Sequence, residues 1–370
     1  VGQFGIRILL LVGTKVPRPA SYDLLSALNT VQVTSSDETG DGFQITFSLG
    51  KGKVPDYAPL RSGELDIFNR VIVAVVLGVT PEVLVDGIIT NRQVSPSNEP
   101  GGSTLTVTGR DLSLVMDLEE MNKPYPQQSD SMIVQQILGA YGEYGIVPAV
   151  TPTADVPLMT DRIPRQRETD LKRIQDLAEK NGYVFYLEPV TICVNKAYWG
   201  PKVRAGVLQP ALSLNMGGTT NVKSLEFSEE GLSASSVRGS FIEPFSNTVV
   251  DLPSLSPIPV PPLAAVQTPC KKVILLRDTA NKGAMAAFQE IISTIANQPD
   301  TVGCEGELDT ERYGHVLRAR NLVGVRGAGY SCDGIYYVKS VSHRISSGQY
   351  TQHFSLSREG TGSLLPMVPT

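Results

Sequence analysis

Residues 333–360 read DGIYYVKSVSHRISSGQYTQHFSLSREG, and the class of the fold turns on them. Ile335, Tyr336, Tyr337, Val338 and Val341 are strand formers, Ser346-Ser347-Gly348 is turn chemistry, and residues 350–356 are a second extended run. The pattern predicts a β-hairpin. Residues 86–107, DGIITNRQVSPSNEPGGSTLTV, repeat it more faintly. At one ungapped offset (333 − 86 = 247), Asp86, Gly87, Ile88, Val94, Ser95, Gly101 and Thr104 fall on Asp333, Gly334, Ile335, Val341, Ser342, Gly348 and Thr351. Chance gives roughly one or two such identities over a stretch of this length. Leu105 and Val107 also take the parity of Phe354 and Leu356, so both copies aim apolar side chains at one face. Two unrelated Asp-Gly hairpins are the plainer alternative. The repeat predicts one β-module used twice, with the rest of the chain before, between, inside or after the two copies.

Composition bounds the function. The chain has 370 residues, enough for several domains with cores of their own. With 19% charged and 41% apolar residues it is ordered globular protein, and 34 Gly with 26 Pro suit short strands joined by many turns. A net charge of −5 gives no basic footprint, so nucleic-acid binding is not expected as the main function. Cys193, Cys270, Cys304 and Cys332 are widely spaced and fit no zinc pattern. They read as isolated thiols of a protein assembled in a reducing compartment, with no metal. The longest apolar run, residues 71–79, is too short to span a bilayer, and the first residues lack the marks of a signal peptide. No direct membrane insertion is expected.

Along the chain, residues 6–12, 27–35, 43–49 and 68–79 read as strands. Phe43, Ile45 and Phe47 alternate with Gln44 and Thr46, while residues 68–79 are apolar throughout, as in a strand covered on both faces. From Asp111 the pattern turns helical. Residues 111–121 have a cap and good helix formers, Ser129 or Asp130 caps a second helix, and Leu171, Ile174, Leu177 and Ala178 stripe a third that stops at Asn181-Gly182. Residues 183–187 and 191–194 read as a hairpin about Pro189. The second β-module starts near Leu212, with strands at 225–227 and 235–241. Seven prolines between Pro244 and Pro269 predict an extended crossing, followed by a helix over residues 279–297.

No motif carries catalysis. Gly324, Gly327 and Gly329 have the wrong spacing for a dinucleotide loop and precede a hairpin, so they read as a turn. The segment from Gly50 to Lys53 is not a phosphate loop. His343 and His353 read as a pair on the surface of the closing hairpin, with no nucleophile elbow and no acid partner to make a triad.

The order of features over residues 284–360 carries a family resemblance. A helix precedes the strand GCEGEL, then Tyr313-Gly314-His315, residues 321–329, DGIYYVKSVSH and YTQHFSLSREG. This resembles the late control D proteins of contractile phages, which are baseplate hubs. Similar hubs occur in phage-like contractile injection systems and in the N-terminal part of type VI secretion spike proteins. The likeness is specific over the last quarter of the chain, looser over residues 86–188, and one of pattern alone before that.

The resemblance implies a mainly β fold with an α+β insert: two related tail-tube-like antiparallel β-barrels plus small inserted domains. Residues 1–110 would be the first barrel and 111–204 the α+β insert. Residues 205–245 with 300–360 would be the second barrel, interrupted by a proline-rich crossing and helix at 246–299, and 361–370 the tail. It implies a homotrimer whose six barrels form a pseudo-sixfold ring, joining a sixfold inner tube to a threefold spike and lining a central channel. The partners implied are further copies of the chain, a separate spike protein, the inner tube protein and baseplate wedge or sheath-adaptor proteins. Neither enzymatic activity nor a cofactor is implied, and there is no sequence-specific nucleic-acid binding. The location is a virion tail baseplate or an injection particle assembled in the bacterial cytoplasm. Any spike or peptidoglycan-cutting segment is expected on another polypeptide. The channel wall should be mildly negative. A cell-wall hydrolase and a carbohydrate-binding β-protein of a tail are the alternatives. The candidate assembly contacts are Leu364, Leu365, Met367 and Val368, apolar residues that Pro366 and Pro369 bar from a helix or a central strand.

Overall fold

The structure, a computed structural model, describes residues 6–37, 40–50, 57–78, 80–99, 101–157, 163–242, 248–257, 259–276 and 284–365. Strands dominate. The six longer strands of the first module are β1 (Arg7–Gly13), β2 (Leu28–Ser36), β3 (Gly42–Ser48), β4 (Arg70–Val76), β5 (Pro81–Ser95) and β6 (Thr104–Asp111), with a two-residue strand, Arg18–Pro19, on the outer edge of β1. They lie side by side in the order β1-β4-β5-β6-β3-β2. Period-two alternation sets their faces. Phe43, Ile45, Phe47, Val71, Val73, Val75, Leu105 and Val107 meet in one core. Ile72 and Ala74 point the other way, into a second small apolar cluster with Leu11 and Val83, against which Ile192 and Cys193 pack. That is why β4 is apolar on both faces.

The insert packs two helices on a small sheet. Its elements are α1 (Asp130–Gly139), β7 (Ile146–Val150), α2 (Asp170–Asn181), β8 (Val184–Thr191) and β9 (Val194–Gly200). Ser129 caps α1 by accepting the Met132 N–H, and Thr169 caps α2 by accepting the Lys172 N–H. Gly182 ends α2 with φ +67°, a conformation that costs glycine nothing. The stripe Leu171, Ile174, Leu177 and Ala178 packs with Trp199, whose indole N–H donates to the Ile174 carbonyl at 3.2 Å.

Two expectations fail here. Residues 111–121 form only one 3₁₀ turn, Leu112–Met116, because the buried residues Leu112, Leu114 and Met116 recur at every second position and give no helical stripe. The hairpin turns at Ile192-Cys193 rather than at Pro189. Pro189 sits inside β8, an edge strand, beside a bulge where its missing N–H costs no ladder bond.

The second module comprises β10 (Gln209–Ser213) and β11 (Val222–Glu229), then, after an excursion, β15 (Val302–Asp309), β16 (Leu322–Arg326), β17 (Gly334–Ser346) and β18 (Gln349–Arg358). The excursion holds β12 (Ser235–Ile242), β13 (Val249–Leu255), β14 (Lys272–Leu275) and α3 (Ala284–Ala296). The strand β12, expected in the second barrel, pairs instead with β13 and β14 in a separate sheet. The proline-rich stretch around Val249 thus includes a strand.

The six strands of the second module lie in the order β10-β16-β17-β18-β15-β11. Strand for strand, in chain order and in space, this repeats the first module. One pairing differs: β1 runs antiparallel to β4, whereas β10 runs parallel to β16.

The hydrogen bonds give the correspondence residue by residue. Ahead of β4, the Phe68 N–H donates to the Ile89 carbonyl and the Ile89 N–H to the Asn69 carbonyl. Ahead of β16, the Arg320 N–H donates to the Val338 carbonyl and the Val338 N–H to the Asn321 carbonyl. Ile89 therefore answers to Val338, and the bulge that follows at Thr90 answers to the one at Lys339. Ile89 pairs with Gly109 and Val338 with Leu356, so β6 maps onto β18 by the expected 247 residues (356 − 109) and Thr104 does answer to Thr351. However, β5 maps onto β17 by 249 residues (338 − 89). The constant offset is thus two residues out in the first strand of the hairpin. Its Asp-Gly identity is a coincidence of sequence, since Asp86-Gly87 lies inside β5 while Asp333-Gly334 opens β17, whereas the bulge holds the register.

Candidate assembly surfaces

The two modules form one thirteen-stranded sheet because β17 is shared. Its first half, residues 334–337, pairs with β16. Its second half, residues 340–346, pairs on the same edge with β2, Ser342 opposite Thr34. The hydroxyls of those two residues lie 3.3 Å apart.

Polar side chains bolt this joint. Arg320 ion-pairs with Asp41 and donates to the Ser36 carbonyl, and its guanidinium stacks 4.3 Å from the Tyr186 ring centre. Arg318 reaches Glu82 at 3.1 Å and the Val83 carbonyl, and Lys202 reaches Asp37 at 3.2 Å. His343 is buried in the joint, with Nδ1 2.8 Å from the Tyr350 hydroxyl and 3.1 Å from the Gln352 amide nitrogen. His353 is exposed on the other face and pairs with Ser342, so the two histidines do not form the expected surface pair. The alternation Val341, His343, Ile345 already carried that signal.

A second bolt holds the insert. Asp86 accepts from Arg70 at 2.7 and 2.6 Å and from the Asn195 amide at 2.8 Å, with Arg70 and Asp86 both buried. A third holds the excursion. Arg204 donates to Asp300 and Glu359, and Glu359 accepts the backbone N–H groups of Leu263 and Ala264. Arg204, Asp300 and Glu359 border a cleft of about 750 Å³ that includes Pro257, Pro259 and Cys270.

Two of the unpaired strand edges among the described residues correspond to the joint. Residues 91–95 of β5 lie beyond the reach of β4, and β11 pairs only with β15. By the correspondence above, they answer to the two strand edges that meet in the internal joint. The tail begins as a two-residue strand, Gly360–Thr361, paired with Val266–Gln267. Leu364 is exposed and Leu365 half-buried, while Met367 and Val368 lie outside the described residues. Hence only Leu364, of the four candidate contacts, is seen open to a partner.

No protein-family model and no curated protein matches the sequence. Solved structures do match the fold. A tail protein from Neisseria meningitidis MC58 superposes with a TM-score of 0.63 at 13% identity, over 97% of this chain and 98% of that one. The 43 kDa tail protein of prophage MuSo2 from Shewanella oneidensis gives 0.62 at 12% identity, over 95% and 99%. The chain has a phage tail protein fold. A component of the type VI secretion system from E. coli, described as similar to the T4 bacteriophage tail proteins gp27 and gp5, gives 0.54 at 14% identity over 92% and 77%. The mainly β fold with small inserts is thus that of tail proteins over 92–97% of the chain.

Proposed function

We propose that this chain is the baseplate hub subunit of a contractile tail or injection machine. It assembles as a homotrimer whose six β-modules form a pseudo-sixfold ring around a central channel. One face meets the sixfold inner tube and the other a separate threefold spike, with wedge or sheath-adaptor proteins outside. Its role is structural rather than catalytic.

The observation that carries this reading is the internal joint. Two modules of the same strand order sit side by side, and the edges they do not use against each other have the same character as those they do. Such a unit joins copies head to tail, and a head-to-tail contact that rotates by a sixth of a turn per module closes into a ring. The resemblance to late control D hubs supplies the number of copies, and the tail protein fold is consistent with it. Each module is then a tube-like barrel, residues 1–110 and residues 205–234 with 300–360, with 111–204 and 235–299 as inserts. At −5 per subunit the channel wall is mildly negative, which lets an acidic cargo pass without sticking.

Light scattering tests the assembly. The expected mass is three chains, with a ring and a central hole in electron micrographs. A chain that stays monomeric at tens of micromolar with and without a spike partner overturns it.

A further inference from the structure

The two modules resemble each other closely enough for one joint to serve as the template of another. In the internal joint the far half of β17 lies antiparallel to β2. The part of β5 that answers to it is residues 91–95. The strand that answers to β2 is β11: Leu28 and Val222 occupy matching places, and each is followed by a one-residue bulge before Thr30 and Ser224. On this correspondence the pair Ser342 and Thr34 becomes Gln93 and Ser228. His343 and Val33 become Val94 and Phe227. Val341 and Ser35 become Arg92 and Glu229, which carry opposite charges.

Three observations make this edge unlike a protected one. Native sheets blunt free edges with proline, inward charge or a covering segment. Residues 91–95 lie in extended strand and are mostly exposed. Val31 and Val33 of β2 are 1% and 0% exposed, whereas Leu225 and Phe227, which answer to them on β11, are half-buried. The third is Phe68. It has φ +70° and is 64% exposed. A bulky side chain in left-handed backbone is an outlier that persists where something else compensates for it. Its counterpart Arg320, at φ +66°, is compensated by Asp41 and Ser36 of the neighbouring module. The positions that answer to Asp41 and Ser36 in the second module are Val302 and Glu230, so an apolar side chain replaces the cation where an apolar side chain replaces the carboxylate.

We propose that residues 91–95 of one copy add as an antiparallel strand to β11 of a second copy, Gln93 opposite Ser228, with Phe68 seated beside the second copy's Val302. The pairing rests on the hub assembly proposed above. It adds which edges meet, in what register, and which side chain anchors them. Each copy gives one edge and receives one, so the contact propagates around the ring and leaves neither of these two edges free when it closes.

Cysteine cross-linking tests the register. Opposed residues in an antiparallel pair have Cα atoms about 4.5–5.5 Å apart, within disulfide range. The double variant Gln93→Cys, Ser228→Cys should give chain-linked dimers and trimers on mild oxidation. Gln93→Cys with Ser224→Cys, displaced by four residues or about 13 Å, should not, and neither should the parent chain with its own four cysteines. Phe68→Gly removes the anchor and relieves the backbone. It should leave the melting temperature of the isolated subunit unchanged or higher while weakening trimerisation at least tenfold. A trimer by light scattering that fails to cross-link at 93 and 228, or cross-links equally at 93 and 224, overturns the strand pairing and leaves the hub reading standing. A Phe68→Gly trimer as tight as the parent removes the anchor. A protein that never leaves the monomer overturns both readings together.

Discussion

Arg320 and Asp41, 279 positions apart in the sequence, form a buried ion pair that closes the joint between the two modules. Asp111 lies close by and is fully buried, with its carboxylate accepting the Ser113 N–H at 3.2 Å. The Arg320 guanidinium acts on Asp111 through its charge, while its ion pair is with Asp41. Replacing Arg320 by Met keeps much of the volume and leaves both acids without their cation. Breaking a buried pair in this way costs about 3–5 kcal/mol. Urea unfolding should show a loss of that size, and a loss under about 1 kcal/mol, the scale of an exposed pair, would mean that the ion pair does not secure the joint.

Burial, and after it the charge of Asp41, push Asp111 up to about 6. Its pKa in the fold thus lies above its unfolded value of 3.8. The fold binds the proton more tightly than the open chain does. This contribution to stability is complete below about pH 4 and lost as pH rises through about 6. Asp111→Asn keeps an acceptor for Ser113 and removes the titration. The variant should be at least as stable as the parent at pH 7.5, with its advantage shrinking by pH 4. An advantage independent of pH would show that Asp111 is ionised throughout.

His343 acts with the opposite sign. Burial, then the charge of Arg318, hold it down at about 3, against 6.5 in the open chain. Its contribution is complete above pH 6.5 and lost as pH falls toward 3. His343→Gln retains a polar partner for Tyr350 and cannot take up a proton in this range. Between pH 6.5 and 4.5 the parent should lose more of its melting temperature than the variant does. Equal losses would place a charged imidazole in the joint. Because Asp111 and His343 oppose each other, only the single variants separate them.

The tail should matter to assembly and not to folding. Gly360 and Thr361 are already tied to Val266 and Gln267, so removing residues 363–370 leaves that strand pair in place. Leu364 is exposed, and a buried leucine is worth about 1.5–3 kcal/mol before the cost of ordering it. The truncated chain should melt within a few degrees of the parent and form a weaker trimer or release the spike more readily. Unchanged assembly would assign the tail no role there.

Much of this fold was legible in the sequence where the signal is local. Alternation marks β3, the stripe of α2 and its Gly182 stop mark the helix, and the closing hairpin follows from its strand formers and Ser-Ser-Gly turn. The repeat was legible as well, yet its register was not, because an Asp-Gly identity, at a turn in one copy and inside a strand in the other, weighs more by eye than a one-residue bulge that leaves no composition trace. The pairs Phe68-Asn69 and Arg320-Asn321, each just ahead of an apolar run, carried the correct match. The joint itself is invisible to periodicity, since β2 and β17 are chosen for each other by edges and not by neighbours in sequence. The strand β12 was placed in the wrong sheet for the same reason: its pattern says strand, and only the far-off β14 says which one.

The pairing of β2 with β17 sets a clock on biosynthesis. Ser36 waits for Ser340, and at about 5–20 residues per second the intervening three hundred or so residues take on the order of 15–60 seconds to emerge. During that interval the nascent first module presents an unsatisfied strand to every other nascent chain on the same message, each offering the same strand. Polysome crowding, rather than the finished particle, is where this chain is most exposed to wrong partners.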